Sequence, residues 1–166
     1  MRRWMRLWAA ALCVAVIGLA GCDQHKIEKL EEGVATEADV RSQFGEPESI
    51  FKEADGGKTL EYPRQPEGTT NYFITIGPDG KMTALRQVLT PANFAKVQPG
   101  MNKAAVRRLL GKPAKMATYA LKDQDVWDYR YVDGNEKREF SVTFDNQRKV
   151  ISSASAADPR ETQGGK

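Results

Sequence analysis

Few residues in this 166-residue chain are of a type and spacing that does chemistry. It has two cysteines, Cys13 and Cys22, and one histidine, His25. A thiol can be a nucleophile, a metal ligand or an attachment point, and an imidazole a base or a ligand. His25 has no carboxylate or second ligand at a recognised spacing. The glycine-bearing stretches "DGG" at 55–57 and "GPDG" at 77–80 read as turns, because neither opens a helix after a strand as a phosphate loop must. No Ser or Thr sits in a nucleophile-elbow context. The reading is of no catalytic residue, no metal and no cofactor.

Cys22 is the exception. Arg2, Arg3 and Arg6 precede a nearly continuous apolar run, "LWAAALCVAVIGLA" at 7–20, and "LAGC" at 19–22 follows. A basic start, a short apolar run and small residues at a cut point describe a secretory signal over 1–21. The run is shorter than the roughly 20 residues a membrane span needs. "LAGC" resembles the bacterial lipobox, which implies cleavage before Cys22 and its acylation. Two acyl chains give stable anchoring, each buried CH₂ contributing about 0.8 kcal/mol. Residues 22–26 then form a short lipidated tether. Asp23, with Gln24 after it, is a candidate sorting signal that in some bacteria favours the inner membrane.

Cleavage changes the charge balance. The chain carries 25 basic and 22 acidic residues, and the excess of three is Arg2, Arg3 and Arg6. The processed chain is neutral, so no basic excess argues for a nucleic-acid partner. With Cys13 removed and Cys22 acylated, no thiol remains for a disulfide.

The elements that must carry any function come from a doubled phrase. "VRSQFGEPE" at 40–48 and "VRRLLGKPA" at 106–114 align at an offset of 66, and Gly33 with Gly100 at 67. Downstream, "LEY" at 60–62 lies over "WDY" at 127–129 and "YFITI" at 72–76 over "FSVTF" at 140–144. A period this long reads as a duplicated module rather than a common solenoid. Each module opens helically. Thr36 is a candidate N-cap with Asp39 in capping-box position, and Asn102 a candidate cap in the second copy. Gly45 and Gly111 close these helices, and Pro47 and Pro113 prevent resumption. Shorter helices are expected before them, around 27–32 and 92–97. The rest alternates as strands, with "DGNE" at 133–136 and "GPDG" at 77–80 as turns.

The expected fold is α+β: two tandem modules, 27–90 and 91–155, each with two short helices on an antiparallel sheet of three to four strands. A tail at 156–166, "AADPRETQGGK", is expected to be disordered. Expected core residues are Val40, Phe44, Leu60, Tyr62, Ile74 and Ile76 in the first module. In the second they are Val106, Leu110, Trp127, Tyr129, Phe140, Val142 and Phe144. Tyr131 falls between core and binding face. Phe73, Asp128, Arg130 and Tyr131 are the candidate partner-binding residues, the first three on the sheet face turned from the helices and Tyr131 in the aromatic row with Trp127 and Tyr129 on the other face.

The paired helices ending in "G…V…LLG.P", the W/L-x-Y strand and the following hairpins, on a lipoprotein, resemble the SmpA/OmlA (BamE-like) domain. In tandem they are similar to the β-lactamase inhibitor protein architecture. The resemblance implies a non-enzymatic envelope lipoprotein facing the periplasm, held to a membrane by its lipid. It implies a protein-binding scaffold in outer-membrane protein assembly or envelope integrity, and an outer-membrane location that Asp23 pulls against. The alternative it implies is an inhibitor or modulator of a periplasmic enzyme, with a loop such as "RQPEGTT" at 64–70 entering the target.

Overall fold

A computed structural model of the chain describes residues 21–163; residues 1–20, the last three residues and the side chains of Cys22, Thr162 and Gln163 lie outside the described residues. The first module runs α1 (Gly21–Ile27), α2 (Glu37–Phe44), β1 (Ser49–Lys52), β2 (Lys58–Pro63), β3 (Asn71–Ile76) and β4 (Met82–Gln87). The second runs α3 (Pro91–Phe94), α4 (Lys103–Leu110), β5 (Lys115–Tyr119), β6 (Gln124–Asp133), β7 (Glu136–Phe144) and β8 (Val150–Ala157). A terminal helix, α5, spans Pro159–Gln163. Each module holds one four-stranded antiparallel meander, in the orders β1-β2-β3-β4 and β5-β6-β7-β8. The fold is α+β in two tandem modules.

The duplication is visible at the level of single hydrogen bonds. The Thr36 side chain accepts from the Asp39 N–H, closing a capping box, and Asn102 accepts from the Ala105 N–H. Each supplies an acceptor for a donor that the first helical turn leaves orphaned. Gly45 and Gly111 end the helices at φ +82° and +78°. In the turn after each, a strand tyrosine reaches back: the Tyr62 hydroxyl donates to the Gly45 carbonyl and the Tyr129 hydroxyl to the Gly111 carbonyl, both at 3.1 Å. Isolated bridges Thr36–Lys81 and Asn102–Lys149 tie helix entry to sheet end in both copies. Even the register shift repeats, at Thr75/Ile76 and Thr143/Phe144.

Alternation along the strands sets the cores. Leu60, Tyr62, Ile74 and Ile76 pack with Val40 and Phe44 of α2 in the first module. Tyr129, Tyr131, Phe140, Val142 and Phe144 pack with Val106 and Leu110 of α4 and Phe94 of α3 in the second, with Trp127 partly buried against them. Burying each such side chain contributes on the order of 1.5–3 kcal/mol, and the sequence places them at the period of their element.

Two expectations are corrected. The first short helix lies at 21–27, not around 27–32, because hydrogen bonding tightens after it: the Lys29 and Leu30 N–H groups bond three residues back, to Lys26 and Ile27. The second occupies only 91–94, with Pro91 at its first turn and Thr90 as its cap. The tail is also ordered through residue 163. Strand β8 continues to Ala157, and Asp158 is fully buried against Arg130, an anchor that composition alone does not disclose.

Candidate interaction surface

Strand β2 sends Leu60 and Tyr62 to the helices of its own module and Glu61 to the opposite face of the sheet. That face is not open. Glu61 is 0% exposed. Its carboxylate accepts from Arg107 Nε at 3.1 Å and Nη2 at 2.9 Å, and from the Lys112 N–H at 2.6 Å. Arg107 belongs to α4, whose other side carries Val106 and Leu110 into the second module's core. Helix α4 therefore bridges its own sheet and the back of the preceding one.

Asn71 completes the junction. Its Nδ2 donates to the carbonyls of Leu110 (2.8 Å) and Lys112 (3.0 Å), satisfying acceptors at the end of α4 that the helix leaves unpaired. Asn71 Oδ1 is the buried side-chain oxygen left without a partner among the described residues. A Cβ on Gly111 would stand 2.9 Å from Asn71 Nδ2 and 3.0 Å from Glu61 Oε1, so glycine serves both the helix stop and the close approach. At the rim, Arg108 pairs with Glu53 at 2.8 Å and lies over the Phe51 ring at 4.9 Å, and Lys112 pairs with Glu48 at 2.6 Å.

A second lock joins the β2–β3 loop to β6. The Gln65 side chain donates to the Arg130 carbonyl (2.7 Å) and accepts from the Arg130 N–H (3.2 Å), so its amide mimics one residue of a neighbouring strand. The Arg130 guanidinium bonds Asp158 at 2.7 Å, the Pro66 carbonyl at 2.9 Å and the Glu67 carbonyl at 3.3 Å. Loop 64–70, which the sequence offers as a segment to insert into a target, is bound to the chain's own second module. Burial by itself raises the Asp158 carboxyl, but the Arg160 N–H and Arg130 outweigh it and hold it below the usual carboxylate range. Burial raises the Glu139 carboxyl, helped by Asp128 and Asp158. Burial also pushes the Tyr62 hydroxyl up to about 12 and the Tyr129 hydroxyl higher still.

The four candidate partner-binding residues do not share one open face. Phe73 is half-buried on the first sheet, with the Phe51 ring 6.0 Å away. Asp128 is buried and accepts from the Ser141 hydroxyl at 2.7 Å. Arg130 is consumed by the lock just described. Tyr131 points into the core, 4.6 Å from Phe94, with its hydroxyl donating to Ser155 Oγ at 3.0 Å. Strand alternation assigns a side chain to a face, but it does not reveal that another module lies on that face. Glu61, Arg107, Gln65 and Asn71 were missed for the same reason. One signal was available: an acid recurs at 61 and 128, and an arginine at 41 and 107, in matched positions of the two copies.

Asp23 is not a free tether residue. Arg64 Nε and Nη2 bind its carboxylate at 2.7 and 3.0 Å, and Arg64 lies over the Phe44 ring at 5.4 Å. Gln24 bonds Glu28 at 3.4 Å. Among the described residues, no group of three His, Cys, Asp or Glu side chains is placed to hold a metal ion, and no helix is long and apolar enough to cross a membrane.

Comparison with known proteins adds a domain-level similarity. No curated protein matches the chain significantly. Among solved structures, one described as the osmotically inducible lipoprotein OsmE is similar at 22% identity and a TM-score of 0.38, covering 46% of this chain and 82% of that one. A DUF4309 protein (YjgB) from Bacillus subtilis is similar at 19% identity and a TM-score of 0.30, covering 78% and 82%. One described as a β-lactamase inhibitor protein from Streptococcus mutans is similar at 9% identity and a TM-score of 0.32, covering 81% and 94%. Residues 87–154 match the family model of the outer membrane protein assembly factor BamE domain. The match spans the second module, which is thus similar to the BamE domain.

Proposed function

We propose that this chain is a non-enzymatic lipoprotein of the bacterial envelope, acylated at Cys22, that acts as a protein-binding scaffold in outer-membrane protein assembly or envelope integrity. The observation that carries the reading is the BamE-domain match over residues 87–154. The basic, apolar and "LAGC" succession at the N-terminus supports it. So does the junction between modules: the Glu61–Arg107 and Gln65–Arg130 locks make the two copies present one fixed surface rather than two mobile ones. Confinement to a membrane raises the effective concentration toward a membrane-bound partner, so a small patch suffices.

Affinity capture of the lipidated protein from detergent extracts tests the reading. Co-recovery of barrel-assembly subunits is expected. Recovery instead of one soluble periplasmic enzyme, with stoichiometric loss of its activity, replaces it with the inhibitor reading. Mass spectrometry of the processed N-terminus tests acylation separately. Fractionation of Asp23→Ser against the parent tests whether Asp23 sets the choice of membrane.

A further inference from the structure

The two copies differ at one outer edge. In the first module the edge strand β4 is guarded: the Leu85 N–H donates to Glu32 Oε1 at 3.2 Å, beside the Gly33 N–H bond to the Met82 carbonyl at 2.7 Å. The second module keeps only the latter contact, from the Gly100 N–H to the Val150 carbonyl at 2.8 Å. Pro99 stands where Glu32 does, one residue before the matching glycine, and cannot cap anything. Ser153, which pairs with Val142 as Leu85 pairs with Ile74, therefore keeps its outward N–H unbonded.

The edge so exposed is long and lacks the usual protection. Strand β8 runs eight residues, "VISSASAA", and all but Val150 are exposed. It contains no charge and no proline, the devices by which edge strands avoid pairing. The remaining outer edges are short and carry lysine: β1 has four residues ending in Lys52, and β5 five beginning with Lys115. The N–H and C=O groups of Ser153, Ser155 and Ala157 face outward from β8, because the residues between them ladder to β7 and the Asp158 N–H bonds the Lys137 carbonyl.

From this edge we infer that the chain self-associates by antiparallel pairing of β8 with β8 of a second copy, joining two four-stranded sheets into one. Three features select a second copy as occupant. The partner strand is equally long and equally uncharged, so no buried charge opposes contact. Its Ser and Ala side chains let two backbones approach. Antiparallel pairing about Ser155 brings the Arg148–Lys149 end of one copy to the half-exposed Glu161 of the other, which pairs with Lys137 of its own chain, while Arg160 is turned onto the Pro66 carbonyl and Asp158 is buried on Arg130. Parallel pairing would set like ends together. This association is independent of the proposed envelope role.

The test uses the full processed chain. In membranes, Ser155→Cys should give a disulfide-linked dimer on oxidation, since residues facing each other across a bonded antiparallel pair lie about 5.5 Å apart, within disulfide reach. Leu121→Cys, on a fully exposed turn far along the sequence, should not. Sedimentation of the purified protein should show a reversible dimer. Ser153→Pro, which removes only an outward N–H, and Ala156→Lys, which puts charge at the seam, should each weaken it at least about tenfold. Unchanged circular dichroism marks the variants as folded, and the lysine variant stands in if the proline one unfolds. A monomer at every concentration, cross-linking at Leu121 rather than Ser155, a dimer indifferent to both substitutions, or Ser155→Cys linked to an unrelated polypeptide each overturns the proposal.

Discussion

Arg107→Ala tests the claim that the two modules are locked through a buried carboxylate. Glu61 has no solvent exposure, and its main charge partner is Arg107, whose side chain is about a quarter exposed. Removing one member of a buried pair leaves the other charge stranded, at a cost of about 3–5 kcal/mol. The partial exposure of Arg107 and the surviving Lys112 N–H bond place this case at the low end, at about 3 kcal/mol. For a chain of this length that is roughly 6–12 °C in Tm. In urea, with a slope of about 2 kcal/mol/M, the midpoint should fall by about 1.5 M. The double variant Glu61→Gln with Arg107→Met removes both charges and keeps an acceptor for the Lys112 N–H, so it should recover at least about 1 kcal/mol over the single variant. A loss under about 1 kcal/mol for Arg107→Ala, or a double variant no better than the single, would refute the reasoning. The junction would then be a surface pair with no stranded charge to expose.

Gly111→Ala and Gly45→Ala share a positive φ, but only at Gly111 would the new methyl meet Asn71 and Glu61; at Gly45 nothing lies within 4 Å. Both should lose about 1 kcal/mol to backbone strain, and Gly111→Ala clearly more, as measured by urea midpoints. Glu139→Gln should stabilise at neutral pH. The folded-state carboxyl is raised, so ionisation is penalised above the unfolded pKa and the penalty vanishes below it. Tm measured from pH 7 down to pH 4 should show the gain shrinking with acidity, and a gain constant with pH would exclude the charge explanation.

The sequence announced the module, its copy number and its cores, because caps, helix stops and strand alternation are local signals that recur at a fixed offset. Thr36, Asn102, Gly45 and Gly111 all act where that offset puts them. What it hid was the stacking. Glu61 looks like any outward acid on a half-buried strand, and Gln65 like any loop amide. Their partners, Arg107 and Arg130, lie 46 and 65 residues away. Alternation puts Arg130 on the correct side of its strand, yet that side is occupied by the 64–67 loop and Asp158. The segment after β8 reads as featureless because nothing in its composition marks Asp158 as the residue that anchors it to Arg130.

The segment after β8 has a counterpart in the first module. A helix of each unit can lie on the back of the sheet before it, an arrangement that in principle continues indefinitely as units are added. Behind the first sheet stands α4; behind the second, Asp158 at the start of α5 settles on Arg130. A few residues after β8 thus occupy on the second sheet the kind of place that α4 holds on the first.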